Sequence, residues 1–152
     1  MDYQKMLEKS DDWLKYAISL NLCHEPKDNL VEVKNAALAD SRIQKYFADV
    51  SVFHGTPVTN HKNPELPIHK LLFLLDLGFG TEIPEIKAAV DEILKHRDEY
   101  GIYQSLTNVP KHFGGTGEDA FSWCLCDAPL LLLALLPLGS PRRRRSGLPA
   151  CR

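Results

Sequence analysis

The chain lacks most of the features that announce a function. Its formal charge is only -2 over 152 residues, so no global field draws it to nucleic acid or to an anionic membrane. No apolar run reaches the roughly 20 residues of a membrane-spanning helix. The longest run, residues 128–138, interrupts its leucines with Pro129 and Pro137 and reads as a buried core helix. The opening residues carry neither a basic start nor an apolar stretch, so no secretory signal is expected and a cytoplasmic setting follows. Four cysteines, Cys23, Cys124, Cys126 and Cys151, show no disulfide-framework spacing, and reduced thiols are expected. There is no Gly-x-Ser-x-Gly elbow and no His-Glu-x-x-His helix. Gly114-Gly115-Thr116-Gly117 lacks the Lys-Ser/Thr of a phosphate loop and reads as a turn.

What the chain does have is helical periodicity and leucine. A first helix is expected within residues 3–20, with Trp13, Leu14, Ala17 and Ile18 on its apolar side and Ser10 as a cap. Residues 30–39, capped by Asn29, and 42–52, capped by Asp40 or Ser41, follow as short helices. Prolines and asparagines make residues 54–67 an ordered loop. Pro67 then opens a helix that stops at Gly78. Residues 84–100 carry an apolar stripe, Ile86, Ala89, Val90, Ile93 and Leu94, opposite a charged face. After a loop over 101–117, a last helix is expected from Glu118 or Asp119 to Leu138, with a break at Pro129 as the alternative.

The leucine-rich segments at residues 67–78 and 128–139 repeat one another at an offset of 61 residues, matching at Leu71/Leu132, Leu72/Leu133, Leu74/Leu135, Leu75/Leu136, Leu77/Leu138 and the closing glycines. An apolar helix alternating with a half-polar one suits a layered helical assembly, because the apolar helix must be covered on every side. The expected fold is all-α: an α/α-toroid (α/α-barrel) fragment or a short α-solenoid of paired inner and outer helices. One domain is expected over 1–139, with N-terminal helices in 1–53 and the repeat in 66–139.

Three segments resemble the prenyltransferase and squalene-cyclase repeat proteins: Ile83-Pro84-Glu85-Ile86 ahead of a helix, Arg97-Asp98-Glu99-Tyr100-Gly101-Ile102-Tyr103, and Trp123-Cys124-Leu125-Cys126-Asp127-Ala128-Pro129 leading into leucines. The middle segment is similar to that family's Gln-x-x-x-Gly-x-Trp motif, with Arg97, Gly101 and Tyr103 in the matching places and two of the three residue types changed. The resemblance covers about residues 66–139 and implies a terpenoid cyclase-like toroid binding an isoprenoid or other apolar ligand. The cyclases' Asp-rich acid motif has no counterpart, and no Asp stands two residues before a Cys as in the protein prenyltransferases' zinc site. The catalytic machinery therefore does not transfer. The alternative function is a non-catalytic α-solenoid that binds a protein partner.

The residues expected to meet an apolar ligand are His69, Tyr103, Trp123, Cys126 and Asp127. No cofactor is expected; zinc is the alternative, with Cys124, Cys126, Asp127 and His69 as candidate ligands, because thiolates and carboxylates suit it. Cys-x-Cys is not a zinc-knuckle spacing, and buried packing is the competing reading of these cysteines. His54, His61 and His69 lie on or beside one loop and would need carboxylate or thiolate help from elsewhere in the chain to hold a metal. The aromatics Tyr100, Tyr103, Phe113, Phe121 and Trp123 suit either a cavity lining or core packing. No nucleic-acid partner is expected. Up to Gly139 the chain uses eleven lysines and two arginines; beyond it come five arginines and no lysine. That shift reads as a changed reading frame or artificial junction, or as a disordered Arg-rich tail over 140–152, with Arg142 to Arg145 too short a patch to argue phosphate binding.

Overall fold

The computed structural model describes residues 3–136, so the expectations for Pro137 to Gly139 and for the arginine-rich end lie outside the described residues. Seven α-helices account for most of the structure: α1 (Tyr3–Lys9), α2 (Asp12–Asn21), α3 (Val31–Ala39), α4 (Ser41–Ser51), α5 (Pro67–Leu77), α6 (Pro84–Lys95) and α7 (Ala128–Leu135). A two-stranded antiparallel sheet, β1 (Ser105–Asn108) with β2 (Asp119–Ser122), sits between α6 and α7. The all-α expectation is corrected to that extent. No helix among the described residues is long and apolar enough to cross a membrane.

Helix boundaries follow local chemistry. Ser10 does not cap: its hydroxyl donates to the Met6 carbonyl at 2.6 Å, closing α1, and the chain restarts at Asp11. Asp40 caps α4 by accepting from the Arg42 amide at 2.8 Å. Helix α5 starts on Pro67 and ends on Gly78 at φ 103°, where a side chain would strike Leu20 as well as strain the backbone. Helix α6 ends at Lys95, short of the expected residue 100. The reason is Asp98, whose carboxylate accepts from the Tyr100 and Ile102 amides at 2.9 and 2.8 Å and folds residues 97–103 into a turn bridged from Arg97 to Tyr103.

The largest departure lies at residues 118–127, expected to be helical. Asp119 to Ser122 instead pair with β1, held by the Thr107 and Ser122 hydroxyls at 2.6 Å and by Asn108 donating to Asp119 at 2.7 Å. Ser, Thr and Asn side chains that bond across strands compete with a helix here. The Gly114–Gly117 segment turns as expected, and Gly115 lies against the Val109 carbonyl too closely for any side chain. Pro129 stands in the first turn of α7, so the break alternative describes the structure and the continuous 118–138 helix does not.

The core runs through α2, α4, α5, α6 and α7, with Tyr16, Ile43, Leu71, Leu74, Ile86, Ile93 and Leu131 essentially inaccessible. Helix α5 is central, packing on α2, α4 and α7. Burying a leucine this completely is worth about 1.5–3 kcal/mol relative to leaving it in water. Lys70, 5 % exposed, staples α4 to α5 by donating to Asp49 and Glu65, each at 2.6 Å. The loop after α4 is docked on the hairpin: Val58 pairs in parallel with Thr107, its amide donating to Leu106 at 2.8 Å and its carbonyl accepting from Asn108 at 3.2 Å. This strut carries His61 across the molecule to the start of α7. Cys124 and Cys126 are free thiols.

Candidate functional site: a histidine between two thiols

The segment between β2 and α7 makes a tight turn, with the amides of Asp127 and Ala128 donating to the Cys124 carbonyl. The turn points Cys124 and Cys126 toward the docked loop. Across from them stands His61, whose Nδ1 lies 2.8 Å from Asp127 Oδ1. The Cys124 sulfur is 3.9 Å from His61 Nε2 and 4.0 Å from Nδ1. One ligand atom from each of His61, Cys124 and Cys126 can be chosen so that all lie within 4.8 Å of one another.

Asp127 is the anchor of this group. It is 2 % exposed, and while Oδ1 meets His61, Oδ2 is buried without a hydrogen-bond partner. A carboxylate so placed fixes the imidazole: with Nδ1–H donated to Asp127, Nε2 carries the free lone pair. Burial, reinforced by the negative field of Asp127, pushes the Cys124 thiol above its ordinary range.

Two chemistries fit such a set. A Cys-His-Asp relay needs the thiol in line with the ring nitrogen opposite the carboxylate. Here the sulfur is nearly equidistant from both nitrogens, so it lies beside the ring and not at the end of it. A shared cation fits better. Sulfur at about 2.3 Å and nitrogen at about 2.0 Å from a tetrahedral ion stand about 3.6 Å apart, close to the observed separation. The buried Asp127 oxygen that lacks a partner is a polar atom that a cation nearby would relieve.

The other expected site residues divide. His69 is brought close, its Nε2 3.2 Å from the His61 carbonyl, where it supports the loop and leaves the ligand set to others. Trp123 flanks the thiols and is 47 % exposed; Leu125, between them, is 84 % exposed. Tyr103 is engaged elsewhere, its hydroxyl accepting from Arg97 at 2.5 Å with the guanidinium over its ring. Asp127 does not cap α7 through its side chain, since that side chain faces His61. The residue that completes the cluster, His61, was visible in the sequence only as one of several loop histidines; its polar Asn60-His61-Lys62-Asn63 setting was the available signal.

Compared with protein-family models, curated proteins and solved structures, the chain matches none.

Proposed function

We propose that this chain is a unit of a toroid-like helical repeat that binds a thiophilic divalent ion of the zinc class through His61, Cys124 and Cys126, beside an apolar surface suited to an isoprenoid or similar chain. The observation that carries the metal reading is the convergence of two thiols and an imidazole, drawn from segments 63 residues apart, on a buried carboxylate that orients the imidazole. Three protein donors leave one tetrahedral position for an outside ligand, the arrangement of zinc sites that do chemistry. When bound, the ion supplies a Lewis acid; His61 and the thiolates hold it, and Asp127 keeps the His61 tautomer fixed.

The apolar-ligand part rests on Trp123 and Leu125 beside the thiols, on Leu132 and Leu133 of α7 and on Leu136 just past its end, the last three half exposed. It agrees with the resemblance in residues 66–139. Elemental analysis of the purified protein, followed by cobalt substitution, tests the metal. One equivalent of cobalt with thiolate-to-metal charge-transfer absorption is expected, abolished in Cys124→Ser. Absence of that absorption at saturating cobalt rejects the site. Titration of Trp123 fluorescence with farnesyl diphosphate and with farnesol tests the ligand, with Trp123→Phe separating its signal from Trp13.

The leucines of α7 favour one second reading, a solenoid surface that packs against a protein partner. A Leu132→Lys/Leu133→Lys variant that leaves farnesyl binding intact but abolishes co-purification of a partner supports it.

A further inference from the structure

Against Phe121 of the hairpin a second histidine group occupies a different setting. His54 follows α4, and Glu92 and His96 stand one turn apart at the end of α6. Their ligand atoms all lie within 4.8 Å of one another. Glu92 Oε1 sits between the two rings, 3.0 Å from His96 Nε2 and 3.6 Å from His54 Nδ1. The second distance is beyond a hydrogen bond. The His54 side chain is only 9 % exposed, and neither of its ring nitrogens has a hydrogen-bond partner. An imidazole always carries at least one N–H, so a buried ring with both nitrogens unmet requires an explanation.

The surroundings aim these groups at a common point. Phe121 of β2 stacks flat on His96, with centroids 3.6 Å apart and planes at 5°, and meets His54 edge-on at 5.1 Å. Phe53 packs edge-on to His54 at 4.9 Å. The aromatic walls hold His54 beside an open groove of about 560 Å³ lined by His54, Gly55, Ala88, Asp91, Glu92 and Lys95 among others. Lys95 donates to the outer carboxylate oxygen, Oε2, at 2.7 Å, which leaves Oε1 directed at the imidazoles. Asp91, also on the groove, is paired with Lys87.

We infer that His54, Glu92 and His96 form a second metal site, two imidazoles and one carboxylate, that takes a first-row divalent ion of the cobalt, nickel or zinc kind. Donor atoms about 2.1 Å from a common ion stand about 3.0 Å apart at octahedral angles and about 3.4 Å apart at tetrahedral ones. The two separations at Glu92 Oε1 bracket that range. The ion takes the place of the hydrogen between Glu92 and His96, the His96 imidazole then carrying its one N–H at Nδ1, and supplies His54 with the partner its buried ring lacks. Without sulfur donors the site is harder than the one at His61 and does not depend on it. The ion would clamp the end of α4 to the end of α6 beneath the hairpin.

The test uses the 152-residue chain with Cys124 and Cys126 replaced by serine, titrated with cobalt(II) and followed by visible absorption and calorimetry. One equivalent should bind with a d–d spectrum and no thiolate charge-transfer band, and Glu92→Gln and His96→Asn should each weaken it at least about tenfold. Should the double-serine variant fail to fold, wild-type protein carboxamidomethylated at both thiols serves in its place. No saturable cobalt binding in a folded sulfur-blocked protein, or binding unmoved by both Glu92→Gln and His96→Asn, overturns the inference. Failure of the thiol site leaves this result unaffected, because its sulfur donors are absent from the experiment.

Discussion

Helices α5 and α7 are written in nearly the same leucine pattern and live in different surroundings. In α5, Leu71 and Leu74 are wholly inaccessible and Leu75 nearly so, because α2, α4 and α7 cover the helix. In α7 the counterpart of Leu71, Leu132, is 50 % exposed, and just past its end Leu136, the counterpart of Leu75, is 55 % exposed. Among the described elements α7 packs mainly on α5 and more lightly on α6. A leucine is therefore a statement of capacity to be buried, and whether a neighbour uses that capacity is decided by the rest of the fold.

The most severe way to break the comparison is truncation. Leu74→Ala removes a fully enclosed side chain and is expected to cost about 2–5 kcal/mol. Leu133→Ala, at a position 49 % exposed, is expected to cost no more than about 1 kcal/mol. Chemical denaturation of both variants checks this. Equal losses mean that α7 is covered by something not among its described neighbours.

Metal binding sharpens the comparison next. The start of α5 is stapled by Lys70, whereas the corresponding position in α7, 61 residues on, is the apolar Leu131, and α7 is anchored instead through Asp127 and His61. Zinc bound at His61, Cys124 and Cys126 would complete that anchor. At free zinc about a hundredfold above the dissociation constant, stability should rise by about 2.7 kcal/mol. The part owed to this site should vanish in Cys124→Ser/Cys126→Ser, read as the difference in thermal midpoint. A third, smaller break is Gly78→Ala, which forces a side chain into a left-handed turn against Leu20 and should cost about 1–3 kcal/mol. A melting point unchanged in that variant would mean α5 can end another way.

Much of this was legible before any coordinates. Pro67 and Gly78 bound α5 as expected because both act through local backbone constraints. The hairpin was not legible: Asp119 and Glu118 carry a helix-start signal, and only the cross-strand partners Asn108 and Thr107 override it. The site was half legible. Cys124, Cys126 and Asp127 are adjacent in the chain, but their partner His61 is brought over by the pairing of Val58 with Thr107, a contact that no periodicity encodes. Glu92 and His96 sit one helical turn apart, a spacing compatible with a shared ligand, yet every helix surface brings residues four apart together.

The smallest expected effect is in pH dependence, where α5 and α7 should differ in kind. Hydrogen bonds from Lys45 and then Lys70 hold the Asp49 carboxyl below its ordinary 3.8, and Lys70 holds Glu65 below its ordinary 4.5. Burial works against the Lys70 charge, but the bonds to Asp49 and Glu65 outweigh it and raise the ammonium above its ordinary 10.5. A carboxyl with a lowered folded value stabilises above its unfolded value and loses that contribution as pH falls through the folded one. A raised lysine does the reverse: its contribution is whole below 10.5 and is lost as pH climbs through the folded value. The staple should therefore hold from about pH 4.5 to 10.5 and weaken on both sides. The effect is modest because Glu65 is 67 % and Asp49 31 % exposed, so water screens both partners. Lys70→Leu imports the residue that α7 uses at this place. The substitution leaves two carboxylates without their ammonium, but both reach water, so little change is expected at pH 7, while the acid limb shrinks and the alkaline limb due to Lys70 disappears in urea midpoints taken across pH. A large loss at neutral pH would instead mean that α5, unlike α7, needs its charge to be placed at all.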